Sequence, residues 1–163
     1  MMTITIRDFH EDDIPQMTDI LNEIIEIGGT TAYLDPISHA EMAEKIAHGG
    51  ANAHWSVAIN EAGDVVGFQW AAPHEQLPPE AATIASFVRV GVVGGGIGSK
   101  LFDVTKQKMK ALGYEWLNAS IRSDNTSGLT YYSKMGFKDW KIEPDASLSD
   151  GSVTGKHHKR FDL

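Results

Sequence analysis

The chain has 163 residues, no cysteine and a formal net charge of −8. Disulfides, zinc-thiolate sites and a cysteine nucleophile are therefore excluded, and an acidic chain without a basic run is not expected to bind nucleic acid. No apolar run approaches the roughly 18 residues of a membrane span, and Met1-Met2-Thr3-Ile4-Thr5-Ile6-Arg7 lacks the layout of a secretory signal. A cytoplasmic protein with no membrane association is expected, folded as a single domain over 1–163.

In chain order, 3–7 reads as a short strand. Asp12-Asp13-Ile14-Pro15 reads as a helix start with a carboxylate cap and proline in the first turn. Ile14, Met17, Ile20, Leu21, Ile24 and Ile25 recur at helical spacing, and Gly28-Gly29 closes the run. After a loop through Tyr33, Asp35 and Pro36, Ser38 can cap a helix carrying Met42, Ile46 and Ala47, which His48-Gly49-Gly50 ends. Strands at 54–59 and 65–72 flank a hairpin loop over 60–64, and Pro73 through Pro79 is a loop. A β-branched run predicts a strand over 82–92, followed by Gly94-Gly95-Gly96-Ile97-Gly98. A helix over 97–112 places Leu101, Phe102, Thr105, Met109 and Leu112 on one face, and Gly113 stops it. A strand over 114–121 is followed by a helix that starts at Asp124-Asn125-Thr126 and runs through Met135. The tail predicts two strands around a turn at Ser149-Asp150-Gly151. This order predicts an α+β (mixed α/β) domain with a mixed sheet.

The informative segment is Gly94 to Ser99 between a strand and a helix. Glycines there allow tight turns and expose consecutive N–H groups, with the helix dipole behind them, which suits a diphosphate. A nucleotide P-loop does not fit, because Lys100 is preceded by Ser99 and followed by Leu101. The dinucleotide pattern does not fit either, since it places a glycine where Ser99 stands.

Together with Asn125-Thr126-Ser127-Gly128-Leu129-Thr130-Tyr131-Tyr132-Ser133-Lys134-Met135-Gly136-Phe137, that loop resembles the GNAT superfamily of N-acetyltransferases. The family shows Arg/Gln-x-x-Gly-x-Gly/Ala and then Asn…Tyr-x-x-x-Gly-Phe. The start, Ile6-Arg7-Asp8-Phe9 and Asp12 to Pro15, is also similar to it. The resemblance implies a central, mostly antiparallel sheet flanked by helices, and acetyl-CoA as cosubstrate with no metal. It further implies that Ser86, Phe87 and Val88 offer main-chain groups to the pantetheine arm. Gly94, Gly95, Gly96, Ile97, Gly98 and Ser99 would hold the pyrophosphate, Asn125 would bond the cofactor, and Tyr132 would lie near its sulfur as general acid or hydrogen-bond donor. Tyr131, on another helix face, reads as packing or surface. Val93 departs from the family pattern, which has Arg or Gln there, and Arg89, Lys100 and Arg122 are the candidate replacements for that charge.

Within the superfamily, Gly28-Gly29-Thr30-Thr31-Ala32-Tyr33 with Asp35-Pro36 is similar to the phosphinothricin acetyltransferase-like branch. That similarity implies a small, amino-acid-like amine as acceptor and places Tyr33 and Asp35 at its pocket. The general base is left open between His74, Glu75 and Glu80, the early-loop set Tyr33, Asp35 and His39, and no base at all. His157-His158 is not expected to chelate a metal, because adjacent strand residues face opposite ways. Two alternatives stay open: a CoA-binding sensor without turnover, and acetylation of peptide amines. The resemblance also implies a homodimer.

Overall fold

The computed structural model describes residues 3–31, 33–147 and 152–163. Ala32 and the turn expected at Ser149-Asp150-Gly151 lie outside the described residues. The elements in order are β1 (Thr5–Asp8), α1 (Ile14–Ile27), α2 (His39–Gly49), β2 (His54–Ile59), β3 (Val65–Ala72) and β4 (Ala81–Val88). They continue with α3 (Ile97–Ala111), β5 (Trp116–Arg122), α4 (Thr126–Met135), β6 (Lys138–Ser147) and β7 (Val153–Asp162). The sheet order is β1-β2-β3-β4-β5-β7-β6. Every described pair is antiparallel except β4 with β5, so the mixed, mostly antiparallel sheet expected from the sequence is what forms.

Alternation along each strand divides the core between two faces. Met17, Ile20 and Leu21 of α1 and Met42 of α2 pack on Trp55, Phe68 and Phe87. Phe102 and Met109 of α3 and Tyr132 of α4 pack on Ala71, Ile84, Ala119 and Ile121. The sheet is thus sandwiched, α1 and α2 on one side and α3 and α4 on the other. No helix among the described residues is long and apolar enough to cross a membrane.

The helix stripes fall where their spacing put them except at Leu112, which lies just past α3 and is exposed, and the expected Ser38 cap of α2 closes into a box: Ser38 Oγ accepts from Glu41 N–H while Glu41 Oε1 accepts from Ser38 N–H, both at 3.1 Å. Three local expectations are corrected. Asp13 does not cap α1 with its side chain; its carboxylate accepts from His10 N–H at 2.7 Å and from Arg7 at 2.7 and 2.9 Å. β4 ends at Val88 rather than at 92, because Arg89 N–H makes a last 2.8 Å bond to Val66 O and the chain then turns through Gly91, φ 84°. The valines after it keep strand-like composition but have no strand beside them. β5 starts at Trp116 rather than 114, since Tyr114 N–H still bonds Met109 O at the end of α3.

Candidate functional site

The parallel pairing of β4 with β5 runs from Ala81↔Trp116 to Ile84↔Ala119 and stops there. Beyond it β4 stays with β3 and β5 stays with β7. A cavity of about 490 Å³ opens where the strands part, walled by 84–88 of β4, 120–122 of β5 and one side of α4. The gap passes through the sheet: Tyr132 borders it from the α3/α4 face, whereas Phe87 lies on the α1/α2 face. Arg89 N–H points to β3, so alternation turns the main-chain groups of Phe87 to β3 as well and leaves those of Ser86 and Val88 on the open edge. Phe87 instead gives its ring to the core, 4.8 Å from Phe68.

At one end of the gap stands the glycine turn. Gly94, Gly95 and Gly96 all sit at positive φ, 84°, 71° and 61°, a region that side chains disfavour. The last of them is the left-handed N-cap of α3. The first ladder bond of that helix is Lys100 N–H to Gly96 O, 2.9 Å, so the N–H groups of Ile97, Gly98 and Ser99 have no intrahelical acceptor. Gly98 is required for a second reason. A Cβ there would lie 2.6 Å from Cε1 of Tyr131, whose hydroxyl donates to Gly98 O at 2.8 Å.

Cationic side chains contribute little at this turn. Val93 is 84% exposed. Arg89 is turned to Val65 O and Glu23, and Lys100 is exposed on α3. Arg122 does border the cavity, though its guanidinium already bonds Asp124 and Thr31 O. That Thr31 contact and the bond from Asn125 Nδ2 to Thr30 O (3.1 Å) tie the loop after α1 across the gap. Asn125 Oδ1 accepts from Gly128 N–H and caps α4.

Opposite lies a hydroxyl network. Ser86 Oγ is 2.8 Å from Tyr132 Oη, and Gln69 Nε2 donates to Ser86 Oγ at 2.7 Å and to Tyr131 Oη at 3.0 Å. Burial pushes the Tyr132 phenol far above its ordinary range, against the hydrogen bond from Ser86; Tyr131 is raised by burial too. Tyr131 packs against the α3/α4 core, as its helix position suggests, and its hydroxyl also joins this network. Gln69 itself is fully buried.

The expected acid–base residues divide. His74 and Glu75 border a second cavity, about 550 Å³, with Trp55 and Trp70, and Tyr33 borders both cavities. Glu80 lies where β4 and β5 are still together, its C=O accepting from Glu115 N–H at 2.7 Å, outside both cavities. Asp35 and His39 are exposed and outside them as well. The sequence reading missed Gln69, Ser120 and Lys156. Only Gln69 left a signal, as the lone side-chain amide in the apolar run Val65–Ala72.

The model of the acetyltransferase (GNAT) family matches residues 14–137. Mycothiol acetyltransferase of Actinosynnema mirum is 26% identical over 92 residues, 56% of this chain and 30% of that protein; the match spans about a third of the length of such relatives. The L-methionine sulfoximine/L-methionine sulfone acetyltransferase of Pseudomonas paraeruginosa is 26% identical over 143 residues, 84% of this chain and 81% of its own. The crystal structure of a phosphinothricin acetyltransferase from Sinorhizobium meliloti, in complex with acetyl-CoA, superposes with a TM-score of 0.89 over 99% of this chain and 89% of that one. At 24% identity that likeness shows the fold.

Proposed function

The chain belongs to the acetyltransferase (GNAT) family, and we propose that it transfers the acetyl group of acetyl-CoA directly to the amine of a small, amino-acid-like molecule. The observation that carries this reading is the parting of β4 from β5 beside a glycine turn whose N–H groups are unclaimed. The freed edge at Ser86 and Val88 suits a pantetheine arm laid along it as an added strand. The turn suits a diphosphate, because first-turn N–H groups and the helix dipole favour an anion without help from side-chain charge. The acceptor class is supported by similarity to an acetyltransferase of L-methionine sulfoximine and L-methionine sulfone and to a phosphinothricin acetyltransferase, and by a gap of small-ligand size.

In this reading Tyr132 works as a hydrogen-bond donor. Its raised pKa keeps it protonated, so proton transfer to a thiolate is more uphill than the roughly 2 kcal/mol separating an ordinary tyrosine from a thiol. Gln69 donates to Ser86. If Ser86 in turn donates to Tyr132 Oη, the phenolic hydrogen is left to point into the gap at a departing sulfur. The test is thiol release from acetyl-CoA with L-methionine sulfone and phosphinothricin as acceptors. Tyr132→Phe should lower kcat at least about tenfold, about 1.4 kcal/mol, while CoA binding by calorimetry stays intact. An unchanged rate removes Tyr132 from the mechanism, and a wild type that never binds CoA removes the reading.

A further inference from the structure

Direct transfer also needs a group that takes the proton of the attacking amine, and none of His74, Glu75 or Glu80 lines the gap between β4 and β5. A different set does reach it. Ser120, the first β5 residue past the last paired position, borders the gap. By alternation it stands on the α1/α2 face, opposite to Ala119 and Ile121 in the α3/α4 core. Its Oγ is 3.0 Å from Nδ1 of His158 on β7, and Nε2 of that ring is 2.6 Å from Oε1 of Glu143 on β6. Asn118 Nδ2 donates to the same Ser120 Oγ at 3.1 Å, and Asn118 Oδ1 is held in turn by Trp140 Nε1 at 2.9 Å.

In a neutral imidazole, donor–acceptor logic gives this chain a direction. A carboxylate can only accept, so Glu143 takes the hydrogen on Nε2 of His158, and in the neutral ring Nδ1 then keeps its lone pair. Nδ1 then accepts from the Ser120 hydroxyl, and Ser120 Oγ, already an acceptor for Asn118, keeps one lone pair for an N–H in the gap. The hydrogen bond from His158 and the neighbouring Lys141 and Lys156 hold Glu143 below the ordinary carboxylate range against its desolvation, which keeps it in the accepting form.

We propose that Ser120, with His158 and Glu143 behind it, is the proton acceptor for the incoming amine, a relay spanning three adjacent strands. The proposal rests on the acetyl-transfer reading above. As the N–C bond forms and the C–S bond of the thioester breaks, the amine proton passes to Ser120 Oγ while the Ser120 hydroxyl proton passes to His158 Nδ1. The imidazolium, beside Glu143, releases its proton to water, and the thiolate takes one up. Acetyl-CoA and amine become amide and CoA with no further reactant. The arrangement puts the two proton-handling hydroxyls, Ser120 and Tyr132, on opposite faces of the sheet, so the amine can enter from one side and the sulfur leave on the other. Ser120 is a catalytic residue in this account, and His158 and Glu143 are positioning residues that act through it.

With L-methionine sulfone or phosphinothricin as acceptor, Ser120→Ala should lower kcat at least about 100-fold, with KM for acetyl-CoA within about twofold. His158→Ala should fall comparably and recover in added imidazole, which a merely structural role would not allow. Intact-mass measurement after exposure to acetyl-CoA alone should show no acetylated Ser120; a stoichiometric adduct overturns the relay in favour of a covalent route. A second measurement is independent of turnover. In the wild type, imidazole 15N shifts assigned by the signal lost in His158→Gln should show Nε2 protonated and Nδ1 bare. An Nδ1–H tautomer, or full activity in Ser120→Ala and His158→Ala, overturns the relay while leaving acetyl transfer standing. A wild type that binds CoA but acetylates neither acceptor nor any other amine overturns the reading beneath it.

Discussion

The two walls of the gap are built from different material. On the α3 side the groups without a helical acceptor are main-chain N–H groups, bared by three left-handed glycines and a helix start. On the β5–β7–β6 side the Ser120 hydroxyl borders the gap and side chains behind it hold it: His158, itself held by Glu143, and Asn118, itself held by Trp140. A main-chain wall tolerates almost any side chain that leaves the turn intact and fails when the backbone is displaced. A side-chain wall loses its function atom by atom. The contrast predicts that substitutions on the first wall act on cofactor affinity, and those on the hydroxyl side act on rate.

Gly98→Val breaks the comparison most severely. A Cβ alone would stand 2.6 Å from the Tyr131 ring, and that ring is anchored by Gly98 O and Gln69. With the ring held at both places, the first turn of α3 has to give, which misaims the free N–H groups. With each bond to a phosphate worth about 1.5–3 kcal/mol, losing one or two should weaken CoA binding at least about 100-fold, about 2.7 kcal/mol. Calorimetric titration with CoA checks it, with circular dichroism to confirm a folded chain. Binding within a few-fold of wild type would mean that the turn is not the cradle.

Gln69→Leu sharpens the comparison from the hydroxyl network shared by β3, β4 and α4. The leucine keeps the volume of a fully buried position and removes two donated bonds, to Ser86 and to Tyr131. Gln69 Oε1 has no hydrogen-bond partner, so its removal also relieves a buried unpaired acceptor and offsets part of the loss. Stability to urea should fall by about 1–2 kcal/mol. The rate should fall because Ser86 and Tyr132 lose their anchor, while CoA affinity stays within about twofold of wild type. A fall in affinity as large as that of Gly98→Val would show that the two walls are one unit.

The same division explains what could be read before folding. Helix stripes, the Ser38 cap and the glycine turn each lie within a few consecutive residues, so their spacing carries them. β4 was overrun because valine composition does not say where a neighbouring strand ends; that depends on β3 running out at Val66, more than 20 residues away. The expectation for His157-His158 stopped one step short. Alternation does send the two rings opposite ways, but it also delivers His158 to Ser120, 38 residues distant, and to Glu143, 15 residues distant. Register between three strands assembles that group, and register is set by the whole sheet rather than by any local pattern. Asp35 and His39 are exposed for the converse reason: proximity in sequence to Tyr33 does not bury a loop side chain beside it.

The smallest expected effect tests how complete the main-chain wall is by itself. Val93 is 84% exposed and directly precedes the glycine turn, where the family pattern carries Arg or Gln. An exposed charge adds roughly 0–1 kcal/mol to an ionic contact, so Val93→Arg should tighten CoA binding only about two- to fivefold. The gain should vanish near 1 M salt, where the screening length drops to about 3 Å. Measured affinity against salt decides between two pictures. If the arginine gains little, the N–H groups already satisfy the diphosphate, and valine is tolerated because the grip never depended on a cation. If it gains 100-fold or more, the chain's net charge of −8 was opposing the ligand all along, and the bare turn is only half of a site.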